Sequence, residues 1–323
     1  MQNKPVISVV IPCFNESETF AELLRRVQTV CRAGGRPHEI VIVNDGSTDQ
    51  TWPLLVAAAQ ADPAVVGINL ARNHGHQLAL SAGLAKCTGD YILIMDADLQ
   101  DPPELLPAMF DLLQSTGADV VYGQRTYRAG ETWLKRTTAA LFYRLITKIT
   151  DTSIPRDTGD FRLITRRVLN ILLAMPERYR FIRGMVSWIG YKQVPFSYER
   201  DERHAGVTKY SYWQLMRLAL DGITALSIRP LRLAMYLGLG CAALALALLV
   251  SAVIMYLRGS ALAGWTGLVA IITCLGACQL IVLGILGEYM GRCYEQAKGR
   301  PLYIIAEEVS QRASSTPGAS QAL

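Results

Sequence analysis

Three acidic residues, Asp96, Asp98 and Asp101, fall in one short stretch, YILIMDADLQDPPE, directly behind a run of apolar residues. On a strand, residues two apart point to the same side. Asp96 and Asp98 would then present both carboxylates to one cleft, with Gln100 continuing the row. Like charges that close are unfavourable unless a cation compensates them. Two or three oxygen ligands, with places left for water and phosphate, are how Mg²⁺ or Mn²⁺ is commonly held. A solvated acidic turn closed by Pro102–Pro103 is the plainer reading, and the position behind an apolar strand favours the metal. A second acidic turn, Asn44-Asp45-Gly46-Ser47-Thr48-Asp49, also follows a strand-like run. Ser47 or Thr48 can cap the next helix, which leaves Asp45 able to accept hydrogen bonds from a ligand.

The elements that must position these groups alternate. Val6–Pro12, Glu39–Asn44, Val65–Leu70, Tyr91–Met95 and Asp119–Gly123 are short runs rich in β-branched residues, and read as strands. Phe20–Arg32, Thr51–Asp62, Gln77–Cys87 and Glu104–Ser115 read as the helices between them. That order predicts an α/β domain with a mostly parallel sheet covered on both faces. Ligands of such sheets bind beyond the carboxyl ends of the strands. The segments PCFNES, NDGSTD, ARNHGH, DADLQ and GQR would gather there. From about Arg125 to Arg229 the chain carries more helix and more charge. Tyr210–Leu226 reads as an amphipathic helix, either core or interfacial, and its place just before two apolar runs favours the interface.

Those runs, Leu233–Leu257 and Gly259–Gly287, contain no charged residue. Each exceeds the roughly 20 residues that cross a hydrocarbon core, so the 323-residue chain, 51% hydrophobic, is expected to be an integral membrane protein. Arg229, Arg232, Arg292, Lys298 and Arg300 flank the outer ends and only Arg258 the connection, which predicts two spans with both termini cytoplasmic. The first residues do not resemble a signal peptide. The expected divisions are a catalytic domain over 1–209, an interface helix over 210–230, a two-helix hairpin over 231–291, and a cytoplasmic segment over 292–323 with a disordered tail. The seven cysteines do not suggest a disulfide framework. A net charge of +5 suits an anionic membrane surface, and no basic stripe suggests a nucleic-acid partner.

Together, VVIPCFNE, NDGSTD, DADLQDPPE, TGDFRL and ERHAGVTKY resemble the family 2 inverting glycosyltransferases of GT-A (Rossmann-like) fold. More narrowly they resemble the polyprenyl-phosphate glycosyltransferases, which include bactoprenol glucosyltransferases and dolichol-phosphate mannose synthases. The resemblance runs from residue 6 to about 305. It implies that Pro12, Asn15, Glu16 and Asp45 line the nucleotide pocket. It implies that Asp96, Asp98 and Gln100 hold a divalent ion against the donor diphosphate. Arg125 and Arg136 would receive the lipid phosphate, Asp160 matches the position usually called the catalytic base, and Arg203 and Lys209 would close over phosphates. The implied reaction transfers a sugar, glucose by subgroup, from a nucleotide-sugar donor to undecaprenyl phosphate at the bacterial inner membrane. The acceptor phosphate has a second pKa near 6 and is already mostly anionic at neutral pH, so Asp160 is expected to orient the acceptor or a basic neighbour such as Arg162.

Other donors, namely UDP-galactose, UDP-N-acetylhexosamine, a modified arabinose or GDP-mannose, stay open, as does a homo-oligomer. An inactive membrane scaffold of the same fold is a rival that the intact DADLQ and GDFR speak against. Uncharged spans offer a transporter no polar path, and no G-x-G-x-x-G supports a dehydrogenase. His74 and His76 lack a third zinc ligand. Arg25–Arg26 and Arg166–Arg167 read as solvated helix faces. Arg178, Arg180 and Arg183 could meet lipid headgroups or form an ordinary surface helix. Glu288 and Arg292 can pair at i, i+4.

Overall fold

The structure, a computed structural model, describes residues 6–125, 158–198, 229–258 and 265–311. The expected alternation is present. β1 (Ile7–Cys13), β2 (His38–Asn44), β3 (Val65–Leu70) and β4 (Tyr91–Ile94) are parallel strands, joined by α1 (Phe20–Ala33), α2 (Thr51–Ala61) and α3 (His76–Lys86). A 3₁₀ turn over Pro103–Leu105 leads into α4 (Leu106–Thr116), and β5 (Val120–Arg125) follows.

Three further strands complete the sheet. β6 (Thr158–Thr165) inserts antiparallel between β4 and β5. It is followed by α5 (Arg166–Ala174), α6 (Ile182–Ile189) and β7 (Gln193–Tyr198), which pairs parallel with β5. The last strand, β8 (Ile305–Val309), lies antiparallel on β3, giving the order β7-β5-β6-β4-β1-β2-β3-β8. β6 lacks an apolar alternation because it buries Asp160 and Arg162, and β8 reads IAEEV with its acidic residues exposed. Neither resembles an apolar strand.

Period-two alternation divides the core between the sheet faces. Val9, Ile11, Ile40, Ile42 and Leu93 meet Leu23 and Val27 of α1, Leu55 of α2 and Met109 of α4. Val10, Val41, Val43, Ile92 and Ile94 meet Leu80 and Leu84 of α3, Leu169 of α5 and Val186 of α6. A strand buried on both faces must be apolar nearly throughout, which is why β1, β2 and β4 were legible.

Contacts divide the described residues into two units. The first holds the sheet, its helices and residues 301–311; the second holds α7 (Arg229–Leu257) packed on α8 (Trp265–Ala297). α8 continues to Ala297, and the segment beyond it supplies β8 to the sheet. Cys274–Ala297 of α8 is long and apolar enough to cross a membrane, whereas Ala234–Leu248 of α7 is a shorter apolar stretch. Among the described residues one helix, not the expected two, meets that criterion. The amphipathic helix expected over 210–230 falls outside the described residues, apart from the start of α7.

Candidate active site

The carboxyl ends of β1, β2, β3 and β4 meet at one end of the sheet, and polar loops follow each. Behind β1, the Asn15 N–H donates to Ser47 Oγ at 2.9 Å, and Asn15 Oδ1 accepts from the Thr48 N–H at 2.9 Å. The Glu16 N–H donates to Thr51 Oγ1 at 3.0 Å, and the Ser17 N–H to Asp49 Oδ2 at 3.1 Å. These bonds lace the first two loops together, and Asn15 adopts a left-handed φ of 54° to make them. Pro12, three residues earlier, is buried within β1.

Asp45 is buried at the end of β2. Its Oδ1 accepts from the His74 N–H at 2.7 Å and its Oδ2 from the Gly75 N–H at 2.9 Å. Burial pushes its pKa up, and the two N–H bonds offset part of that rise. Asp45 thus anchors the loop after β3. Gly46 makes this approach possible: its φ is +65°, and a Cβ there would lie 2.5 Å from the backbone of Arg72 and Asn73.

In the DADLQ segment, Ala97 and Leu99 are buried while Asp96, Asp98 and Gln100 are half-buried. The alternation expected from the sequence is present beyond the last strand residue. Leu99 holds φ at 58°, a left-handed conformation that costs a bulky residue of order 1–3 kcal/mol. The Gln100 N–H closes this turn on Asp98 Oδ1 at 3.2 Å. Among the described residues no group of three His, Cys, Asp or Glu side chains is placed to hold a metal. Asp96, Asp98 and Gln100, half-buried in this turn, carry two carboxylates and an amide oxygen, all hard donors. That set fits a Mg²⁺ or Mn²⁺ ion that keeps several waters and takes the rest of its shell from substrate phosphates.

Antiparallel pairing brings the second acidic motif alongside. Ile94 is opposite Arg162, so continuing the register by two residues sets Asp160 level with Asp96. His76 Nε2 lies 2.8 Å from Asp96 Oδ1, and His76 Nδ1 lies 3.8 Å from Asp160 Oδ2. Arg183 Nη2 approaches Asp160 Oδ1 at 3.3 Å and Arg162 Nη2 at 3.9 Å, and Gln77 Nε2 donates to Oδ2 at 2.9 Å. Burial alone would raise the Asp160 pKa, but Arg183, Arg162 and His76 outweigh it and hold the carboxyl below its usual range. Packing around His76 favours the neutral ring, yet its hydrogen bond to Asp96 and the charges of Asp96 and Asp160 raise it to about 9. Desolvation lowers Arg162 to about 10, still cationic at neutral pH.

Sequence reasoning singled out Asp96, Asp98, Gln100 and Asp160, and these share one sheet end. The two histidines, without a third zinc ligand, read as part of a loop near the donor site, and Gln77 carries no motif of its own. Arg183 was read as a surface or headgroup group, whereas it reaches Asp160. Arg180 is buried and donates to the carbonyls of Leu172 and Met175. Arg166, read as solvated, donates to the Gly89 carbonyl, and Arg167 pairs with Asp119. Glu288 and Arg292 do pair, at 2.9 Å. Arg125 ends β5; its side chain, and Arg136, Arg203 and Lys209, lie outside the described residues.

Oxygen ligands at a strand end, beside a buried carboxylate held by cations, suit transfer of a group from a charged leaving group. Residues 8–172 match the family described as Glycosyl transferase family 2. An uncharacterized glycosyltransferase of Bacillus subtilis (strain 168) is 42% identical over 301 residues, covering 92% of this chain and 92% of the relative. A prophage bactoprenol glucosyl transferase homolog of Escherichia coli (strain K12) is 43% identical, covering 93% of this chain and 98% of the relative. A bactoprenol glucosyl transferase of Shigella phage SfV is 40% identical, covering 94% and 98%. The protein is a glycosyltransferase. It belongs to glycosyl transferase family 2.

Proposed function

We propose that the protein moves a sugar, glucose as first choice, from a nucleotide-sugar donor to undecaprenyl phosphate, with inversion and with a divalent ion. The observation that carries this reading is that His76 joins Asp96, which shares its turn with Asp98 and Gln100, to the Asp160–Arg183–Arg162 cluster. The names of the relatives, which specify bactoprenol and glucose, support the choice of acceptor and sugar. In this reading Asp96, Asp98 and Gln100 hold Mg²⁺ or Mn²⁺, which neutralises charge on the departing diphosphate. Pro12, Asn15, Glu16 and Asp45 form the nucleotide side, and Arg125, Arg136, Arg203 and Lys209 receive phosphates.

Asp160 has little proton to take. A phosphate monoester with a second pKa near 6 is already an anionic nucleophile at neutral pH. A carboxylate held below its ordinary pKa is also a weak base. Its role is to orient Arg183 and Arg162 toward the acceptor.

The lipid substrate calls for membrane attachment. Leu239, Leu246, Leu280 and Leu283 on the two long helices are exposed apolar side chains, as lipid-facing residues are. We assign α7 and α8 as two spans of the bacterial inner membrane, with the catalytic domain on the cytoplasmic side. The test is transfer from radiolabelled UDP-glucose to a polyprenyl phosphate by the purified protein. The expected result is an organic-extractable product that EDTA abolishes, Mg²⁺ or Mn²⁺ restores and Asp98→Asn suppresses. A product from GDP-mannose or another nucleotide sugar alone would replace the donor; a product indifferent to EDTA would remove the metal. Absence of product with every donor would favour an inactive scaffold.

A further inference from the structure

Gln77, the second residue of α3, has no place in the roles above, yet its carboxamide joins two of the elements that build the site. Nε2 donates to Asp160 Oδ2 at 2.9 Å and lies 3.2 Å from His76 Nδ1. Oε1 accepts from the Ile182 N–H at 2.9 Å. The two partners fix which way the amide faces, because a carboxylate needs the NH₂ side and an N–H needs the oxygen. Ile182 is the first residue of α6, and Phe181 before it supplies no side-chain cap. Gln77 therefore satisfies one of the N–H groups that a helix start leaves without an intrahelical partner. The next residue of that helix is Arg183, whose Nε and Nη2 reach the other oxygen of Asp160 at 3.4 and 3.3 Å. The contacts close a ring: Gln77 holds one carboxylate oxygen and the helix start, and the helix start carries the guanidinium that holds the other oxygen.

We infer that Gln77 is the positioning residue that sets both the rotamer of Asp160 and the placement of Arg183. This rests on the proposed function, in which Asp160 and Arg183 face the acceptor. Two variants separate the two arms. Gln77→Ala removes both bonds. Gln77→Glu keeps an oxygen for the Ile182 N–H but opposes Asp160 with a second carboxyl, in a cluster whose other charged members are His76, Arg183 and Arg162.

The experiment pairs transfer kinetics, using a nucleotide sugar and a polyprenyl phosphate, with hydrogen exchange over residues 181–189 of the full-length protein. Removing a hydrogen bond to a charged group is expected to lower kcat about 10- to 100-fold in both variants. The donor KM should stay within about twofold, because the donor-side loops keep their own bonds. Exchange at the start of α6 should quicken in Gln77→Ala and stay near wild type in Gln77→Glu. Wild-type kcat in Gln77→Glu, or unchanged exchange in Gln77→Ala, would overturn the inference. So would a general loss of folded protein with normal kcat in what remains, since that is a purely structural role. If the wild type transfers nothing to a polyprenyl phosphate, the functional reading falls, while the exchange comparison still decides whether Gln77 ties Asp160 to α6.

Discussion

Asp160→Asn removes one negative charge from a site where Arg183, His76 and Arg162 approach within 3.3, 3.8 and 3.9 Å. At an effective dielectric of about 20, each such pair is worth about 4 kcal/mol before desolvation is subtracted. Breaking a buried pair by removing one partner costs about 3–5 kcal/mol. Asparagine keeps an oxygen that can accept from Arg183, which places the expected loss near the lower end, about 3 kcal/mol. For a domain of this size that is a fall in Tm of about 6–12 °C. Because the Asp160 pKa is depressed on folding, its stabilisation is full above the unfolded carboxylate value. It is lost as pH falls through the folded one. The Tm gap between wild type and variant should thus be widest near pH 6, narrow toward pH 9 as His76, whose pKa Asp160 helps to raise, loses its charge, and shrink in acid below about pH 4. Activity should drop by about 100-fold or more. The wild-type-to-variant ratio should be equal at pH 6 and pH 8.5, because the acceptor phosphate ionises without help. Thermal melts and initial rates across that range check both expectations. Full recovery of Asp160→Asn at pH 8.5 would establish Asp160 as a true base and refute the orienting role.

Three further outcomes test the frame around the site. The buried Glu39 accepts from Ser8 Oγ at 2.5 Å, from Thr88 Oγ1 at 3.1 Å and from the Gly89 N–H at 3.2 Å, so Glu39→Ala should cost about 3 kcal/mol or more in denaturant unfolding. A Cβ at Gly83 would lie 2.6 Å from Val10 Cγ1 and 2.9 Å from Val43 Cγ2. Valine side chains are stiff, and Gly83→Ala should destabilise by about 1–2 kcal/mol despite its gain in helix propensity. Burial would raise the Asp49 pKa, but hydrogen bonds from Thr51 and Ser17 hold it down at about 2. Its stabilisation is therefore present above the usual carboxylate value and lost between about pH 4 and 2. Asp49→Asn should flatten the acid limb of the stability curve in that window.

What was legible in the sequence follows from how the chain is read. β1 to β4 lie covered on both faces, so their runs of Val, Ile and Leu declared themselves, and period-two alternation placed Asp96, Asp98 and Gln100 on one side. β6 escaped because a buried strand that carries Asp160 and Arg162 breaks the apolar pattern that marks strands. With β6 unplaced, no sequence rule could bring Asp160 level with Asp96, nor His76 between them. The Gln77 contact is invisible for the same reason: its partners sit on β6 and α6, far along the chain. Arg183 escaped as well: it lies in a short amphipathic stretch that reads as a surface helix, and its partner Asp160 sits on the unplaced β6.

β8 has a consequence for how the enzyme is made. It covers the outer edge of β3, and Lys86 Nζ fastens it to α3 through Glu308 Oε2 at 2.6 Å. The ribosome releases this strand only after both long helices. Until then β3 offers an open row of backbone groups, the kind of edge that recruits stray partners. Biogenesis therefore has an inherent order: the helices emerge first, and the catalytic sheet gains its final seam afterwards.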